Sequence, residues 1–273
     1  MSLPESALAG YDDFYKEFDS PLMRQLRGEA YGRDIGQHSW MTVTELEGDI
    51  ARLQLAESSR LLDLGCGPGG PLAFVAGRVG CRGIGVDVSA QAIASGQARA
   101  VSHGLERLLS FQQADLNIGL PFENASVEAA MSLDVILHLR DRGAMFREVA
   151  RVLIRGGKFL FTDPGVITGA ISDDEIRLRS ALGHTQFVPP GYNERLLNSA
   201  EFRLLEVQDR TASLLKNANG RYTARLAHRE ELGRIEGAAA FERQQRYLAT
   251  VVELSHRGAL SRVGYLSESQ AGR

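Results

Sequence analysis

A short apolar run that ends in an acid and breaks at once into glycine constrains this chain most. Leu61-Leu62-Asp63-Leu64-Gly65-Cys66-Gly67-Pro68-Gly69-Gly70 places four glycines within six residues. It reads as a strand, a tight turn and the start of a helix. Gly65, Gly67 and Gly69 admit positive φ and carry no Cβ, so a ligand can lie directly on the backbone. Gly65, Gly67 and Gly70 also satisfy the G-x-G-x-x-G spacing that cradles a dinucleotide pyrophosphate. Taken alone, the turn does not choose its ligand.

Beyond the turn, helix-spaced and strand-spaced segments alternate, the pattern of a parallel sheet covered on both faces. Helices are expected over 72–79, 90–103 and 142–153, strands over 83–88, 108–114 and 158–163, and a strand running into a polar-dotted turn over 127–141. Strand ends in such an architecture face the ligand crevice. Asp87, ending the second strand, is placed to reach the ribose hydroxyls of a nucleoside, because Ser89 already supplies the cap of the next helix. Asp115-Leu116 ends the third strand. After the fourth, a helical turn beginning at Asp134 would bring His138 to the same side, four residues on. The alternative is a capping aspartate and a core histidine.

Before the turn, Tyr11, Phe14, Tyr15, Phe18, Leu22, Met23 and Leu26 recur at helical spacing, and residues 42–55 resume it. Between them, residues 31–40 form a loop that crowds Gln37, His38 and the sole tryptophan, Trp40, just upstream of the glycines. Functional side chains concentrate on such loops. Residues 165–190, with the Asp173-Asp174-Glu175 cluster, suggest a lid or substrate-contacting insert after the fifth strand. A helix over 194–200, a sixth strand over 202–207, a long helical region over 213–257 and a seventh strand over 263–266 complete the pattern. Leu226, Leu232, Ile235, Phe241, Tyr247, Val251 and Leu254 mark the buried stripe of the long region.

At 273 residues and 44% hydrophobic content the chain has room for one large or two small domains. Lys and Arg number 31 against 34 Asp and Glu, a net charge of -3, so no overall basic field draws in nucleic acid. A small neutral, zwitterionic or cationic substrate fits better. Two cysteines, Cys66 and Cys81, lack metal-ligand spacing and read as buried thiols in a reducing compartment. The N-terminus has no secretory pattern and no apolar run reaches membrane-spanning length, so a cytoplasmic protein is expected.

The motifs Asp63-Leu64-Gly65-Cys66-Gly67-Pro68-Gly69, Asp87, Asp115-Leu116 and Leu153-Ile154-Arg155-Gly156-Gly157, in that order, resemble those of the class I S-adenosylmethionine-dependent methyltransferases. The resemblance implies an α/β fold: a Rossmann-like doubly wound sheet of seven strands, order 3-2-1-4-5-7-6, the last antiparallel, with helical inserts after strands 5 and 6. It divides a single domain, 1–273, into a helical cap (1–57), a cofactor core (58–163) and substrate-side inserts (164–200 and 212–258). It further implies that Gly65, Cys66 and Gly67 border the methionine portion of the cofactor, Asp63 its amino group, Asp87 and Val88 its ribose, and Asp115 and Leu116 its adenine. Ser132, Gln37 and Tyr31 complete that set, while Trp40, His38 and Tyr15 would meet the substrate, with His138 as base and Asp134 orienting it. Residues 132–141 are similar to the phosphoethanolamine and sarcosine/dimethylglycine N-methyltransferases and, more loosely, to natural-product O-methyltransferases. Pro164 stands where the phosphobase enzymes have tyrosine, and their phosphate-holding residues have no counterparts over 181–191, which argues against phosphoethanolamine. The implied activity is methyl transfer to nitrogen or oxygen of a small metabolite, without metal, nucleic acid or membrane, by a monomer or homodimer. The alternatives are an NAD(P)-dependent oxidoreductase and a non-catalytic S-adenosylmethionine-binding protein.

Overall fold

The computed structural model describes residues 12, 15–181 and 184–271; Tyr11 and Phe14 of the expected aromatic stripe lie outside them. Seven strands form one sheet in the order β3-β2-β1-β4-β5-β7-β6. They are β1 (Arg60–Leu64), β2 (Arg82–Asp87), β3 (Leu109–Gln113), β4 (Val127–Leu133), β5 (Leu153–Ile167), β6 (Phe202–Asp209) and β7 (Leu260–Ser269). β1 to β5 run parallel, and β7 is antiparallel to both of its neighbours. The strand order is the one that the resemblance implies.

Leu61, Leu62 and Leu64 on β1 are all fully buried, because a central parallel strand is covered on both faces and its residues need not alternate. One face packs Leu62, Leu64, Phe146, Phe159 and Phe161 into a single cluster, and the other packs Leu61, Leu72, Val75, Met131 and Leu160. The covering helices are α1 (Pro21–Tyr31), α2 (Val43–Leu53), α3 (Gly70–Val79), α4 (Ala90–Ser102), α5 (Arg142–Val152), α6 (Asp173–Arg179) and α7 (Tyr192–Ser199). They are joined after β6 by α8 (Thr211–Ala227), α9 (Arg229–Glu236) and α10 (Ala238–His256). Among the described residues no helix is long and apolar enough to cross a membrane.

Three expectations change. The region 213–257 is three helices, broken at His228 and at Gly237, whose φ of 85° stops α9; Leu226 and Ile235 consequently leave the buried stripe, at 46% and 59% exposed. Gly156-Gly157 does not separate α5 from the strand, since β5 already begins at Leu153, opposite Val127, and the pairing resumes at Lys158 after a register shift. β5 also runs on past Pro164, which sits where the register against β7 shifts between Asp163 and Val166. Proline is tolerated at such an irregularity because its missing N–H interrupts no regular ladder there. The Asp173-Asp174-Glu175 cluster is the first turn of α6, with Ser172 and Glu175 forming a reciprocal cap that favours negative charge at the helix start.

Candidate active site

In a sheet of this order ligands bind outside the C-terminal strand ends, here those of β1, β2 and β4. Gly65 and Gly67 take φ of 73° and 51°, the left-handed region where side chains are disfavoured. A Cβ on Gly65 would also lie 2.5 Å from the Val135 side chain. The amides of Gly65 and Cys66 both donate to the Val86 carbonyl, at 2.8 and 3.0 Å. Asp87 accepts from the Gly67 and Ser89 amides, each at 2.9 Å, so the second-strand acid holds the turn in shape. Cys66 is buried with its thiol pKa pushed well up by that burial, which leaves it unreactive.

Asp63 is 2% exposed, and no hydrogen bond reaches its carboxylate among the described residues. Burial first, and the nearby Asp87 carboxylate second, push its pKa up to about 8. A buried acid in that condition is stabilised by any cation placed beside it. Gly65, Gly67 and this acid therefore offer bare backbone and a buried carboxyl that an adjacent cation would ionise, a fit for an amino-acid ammonium.

At the neighbouring strand ends, the Asp115 carboxylate accepts from the backbone and side-chain nitrogens of Asn117, each at 2.9 Å, and Leu116 is buried. The Val88 carbonyl is held by Gln113 at 2.9 Å. The N-terminal segment is fastened across this edge. Asp12 accepts from the Ser89 hydroxyl at 2.5 Å and the Gln91 amide at 3.2 Å, while Arg99 ties Asp19 to the Pro68 carbonyl at 2.8 and 2.9 Å. The Tyr15 hydroxyl lies 3.1 Å from where a Gly67 Cβ would stand. Tyr15, expected among the substrate residues, thus sits on the glycine turn. No motif marks Asp12 or Arg99 in the sequence.

At the end of β4 the expected Asp134/His138 partnership does not form. Asp134 takes φ of 64° and stands before the short 3-10 turn Ile136–His138, so no continuous helix aligns positions four apart. Its carboxylate is taken up elsewhere: one oxygen accepts from Thr162 Oγ1 and Arg262 Nε, each at 2.7 Å, and the other accepts from the Trp40 amide at 2.7 Å. His138 instead places Nδ1 2.7 Å from the His184 carbonyl. A carbonyl can only accept, so Nδ1 carries the proton and Nε2 keeps a free lone pair. Burial, with Arg179 and His184 adding to it, lowers the His138 pKa.

Two residues assigned to the cofactor spend their side chains on the scaffold. Gln37 is fully buried and folds back on its own loop, accepting from Ile35 N at 2.8 Å and donating to the Arg33 carbonyl at 2.9 Å. Ser132, also fully buried, donates to the Leu64 carbonyl at 3.0 Å and stitches β4 to β1. Tyr31, by contrast, keeps a buried hydroxyl without a hydrogen-bond partner. His38 has Nε2 3.5 Å from Arg221, and burial followed by Arg221 holds its pKa well below the usual histidine range. Trp40 stacks on Tyr247 at 6.4 Å between ring centres, and Asn217 secures it by donating to the Trp40 and Met41 carbonyls at 2.8 and 2.7 Å. Arg142, fully buried on α5, ion-pairs with Asp163 and reaches Asn193 at 3.0 Å. That clamp fixes the end of β5, and nothing in the spacing of these residues announces it.

Residues 62–161 match the family model described as "Methyltransferase domain". The chain is 34% identical over 122 residues to methyltransferase GfsG of Streptomyces halstedii, a match covering 45% of this chain and 43% of that protein. It is 28% identical over 197 residues to the sarcosine/dimethylglycine N-methyltransferase of Halorhodospira halochloris, covering 69% of this chain and 66% of that one. The matches therefore span less than two thirds of these relatives' lengths. Among solved structures, the cyclopropane synthase MmaA2 of Mycobacterium tuberculosis superposes with a TM-score of 0.82 at 17% identity, covering 98% of this chain and 99% of its own. That likeness shows the fold, and the family match bears out the resemblance read from the motifs.

Proposed function

We propose that this chain, whose residues 62–161 are a methyltransferase domain, transfers a methyl group from S-adenosylmethionine to a nitrogen or oxygen of a small metabolite. The observation that carries the reading is Asp63, buried beneath the glycine turn with its pKa near 8 and Asp87 beside it. An acid that keeps its proton until a cation arrives, with a second acid beside it, suits an ammonium and disfavours a pyrophosphate, which favours an amino-acid cofactor over a dinucleotide.

In this reading Asp63 holds the cofactor's ammonium, the bare backbone of Gly65 and Gly67 borders its methionine portion, Asp87 takes the ribose hydroxyls, and Asp115 with Leu116 takes the adenine. Bound there, S-adenosylmethionine supplies a methyl group already activated on a sulfonium. The chain's work is to align the acceptor and exclude water. The N-terminal segment through Tyr15 and Asp12 closes the cofactor side, and Trp40, His38 and Tyr31 border the acceptor side. Nε2 of His138 accepts the proton that the acceptor nitrogen or oxygen loses, since its Nδ1 is already committed to the His184 carbonyl. Asp134 acts indirectly, by fixing the Trp40 backbone. The matched N-methyltransferase of sarcosine and dimethylglycine supports a small polar acceptor. Free, buried Cys66 and Cys81 support a reducing, cytoplasmic setting, and we assign no nucleic-acid partner to a monomer or homodimer.

Calorimetry with S-adenosylhomocysteine and with NAD(P) tests the cofactor: saturable binding of the first alone is expected, and the reverse ends the reading. With an acceptor found by screening metabolites for S-adenosylhomocysteine release, His138→Ala is expected to lower kcat by about 10²- to 10⁴-fold. The Kd for S-adenosylhomocysteine should stay unchanged. Full turnover in that variant removes His138 as the base.

A further inference from the structure

Seven arginines are buried among the described residues. Five of them face a carboxylate: Arg27 with Asp34, Arg142 with Asp163, Arg210 with Asp49, Arg225 with Glu236 and Arg262 with Asp134. Arg179 and Arg221 do not, although they are only 2% and 9% exposed. Arg179 donates to the Tyr247 hydroxyl at 2.9 Å and approaches the Pro164 carbonyl at 3.5 Å, and its Nε is left without a partner. Arg221 lies 4.7 Å over the Trp40 ring and reaches His38 Nε2 only at 3.5 Å. Because Trp40 stacks on Tyr247, each guanidinium contacts one ring of a single aromatic pair, Arg221 that of Trp40 and Arg179 that of Tyr247.

Their placement is built in. Gly220 on α8 packs so closely on α1 that a Cβ there would collide with the Ala30 carbonyl. The next residue of each helix, Arg221 and Tyr31, is thereby brought within electrostatic reach of the other. Arg179 ends α6, the helix that follows β5, and lies within electrostatic reach of His138. A buried guanidinium without a counter-charge is retained against a large desolvation penalty, and its five-donor fork matches an oxyanion. The Tyr31 hydroxyl, also buried and without a hydrogen-bond partner, is a further donor in the same quarter.

We propose that Arg221 and Arg179 form an oxyanion subsite, taking a carboxylate or phosphate group carried by the methyl acceptor, with the Trp40–Tyr247 stack as its wall. This deepens the methyl-transfer reading: that the anion belongs to the acceptor rests on that reading, whereas the anion site itself does not. The net charge of -3 hides the site because the positive charge is local and internal.

Trp40 is the only tryptophan, so its emission reports directly on Arg221. Titration of the full chain with succinate and with inorganic phosphate, against sodium chloride at matched ionic strength, is expected to give a saturable change for at least one oxyanion and none for chloride. The stronger of the two distinguishes carboxylate from phosphate recognition. Arg221→Gln and Arg179→Gln should each weaken that binding by about tenfold or more, and Arg221→Lys should retain part of it. Melting curves identify variants that fail to fold, and Arg221→Lys then carries the comparison. No saturable response to either anion, or a response unchanged in both glutamine variants, overturns the proposal. S-adenosylhomocysteine binding is measured alongside: its absence with an intact anion response would end the methyl-transfer reading and leave the subsite standing.

Discussion

Asp63 shows how one side chain can carry both a stability effect and a binding effect. Its pKa of about 8 lies above the ordinary 3.8, so the folded chain holds a proton that the unfolded chain releases. The associated stability is fully present below pH 3.8, declines as pH rises and is lost once pH passes about 8. Asp63→Asn should therefore raise the melting temperature of the cofactor-free protein more at pH 8.5 than at pH 4.5. Scanning calorimetry at those two values, the first near the acid end of the transition and the second about half a unit above its upper end, checks it. The same variant should weaken S-adenosylhomocysteine binding by about 2 kcal/mol, the scale of a lost charged hydrogen bond, and calorimetry that finds equal affinity would remove Asp63 from the cofactor site. At this scale the sequence is legible where function needs neighbouring residues in a fixed backbone shape, as at Asp63, Gly65 and Gly67. The scaffold bonds of the Gln37 and Ser132 side chains were not legible, because a polar side chain looks the same in a sequence whether it serves a ligand or a carbonyl of its own scaffold.

Among elements, the decisive feature is a line of alternating charge. Asp134 at the end of β4 bonds Arg262 on β7, which donates to Glu45 on α2 at 2.7 Å; Glu45 accepts in turn from Arg210 at the start of α8 at 3.1 Å, and Arg210 clasps Asp49 at 2.7 Å. The line ties the sheet to the loop that carries Trp40. Asp134→Ala leaves fully buried Arg262 short of a partner and should cost about 3–5 kcal/mol of stability. Arg262→Met in the same chain should recover much of that loss, because no charge is then left uncompensated. Urea melts of the single and double variants measure both; a single variant as stable as the wild type would show that the line is not structural. None of these partners is close in sequence, so spacing alone could not join them. Periodicity did reveal most helices and strands. It failed at β5, whose full length is visible only with β7 beside it.

Across the whole molecule, half-buried His38 and His138 near several arginines make the fold sensitive to acid. Both folded pKa values lie below 6.5, so the stability that neutral histidine permits is present above pH 6.5 and lost as pH falls through the lower, folded values. The melting temperature should drop on acidification below about pH 6, and His38→Gln should blunt the drop relative to the wild type. An identical acid profile in that variant would take His38 out of the transition. This sign is opposite to that of Asp63, so the paired variants separate the two contributions.

What the sequence by itself determined is whatever the chain encodes locally or in order: the glycine turn and its acid, the alternation that gives a covered parallel sheet, and the succession of strand-end acids Asp63, Asp87 and Asp115. Family motifs added the strand order. Tertiary structure alone decided which polar groups meet. It gave Asp134 to Arg262 rather than to His138, set Tyr15 on the glycine turn, and left Arg179 and Arg221 without carboxylates beside Trp40 and Tyr247. The reason is physical: backbone periodicity is a property of neighbouring residues, whereas the worth of a charge depends on the burial and the partners that distant segments bring to it.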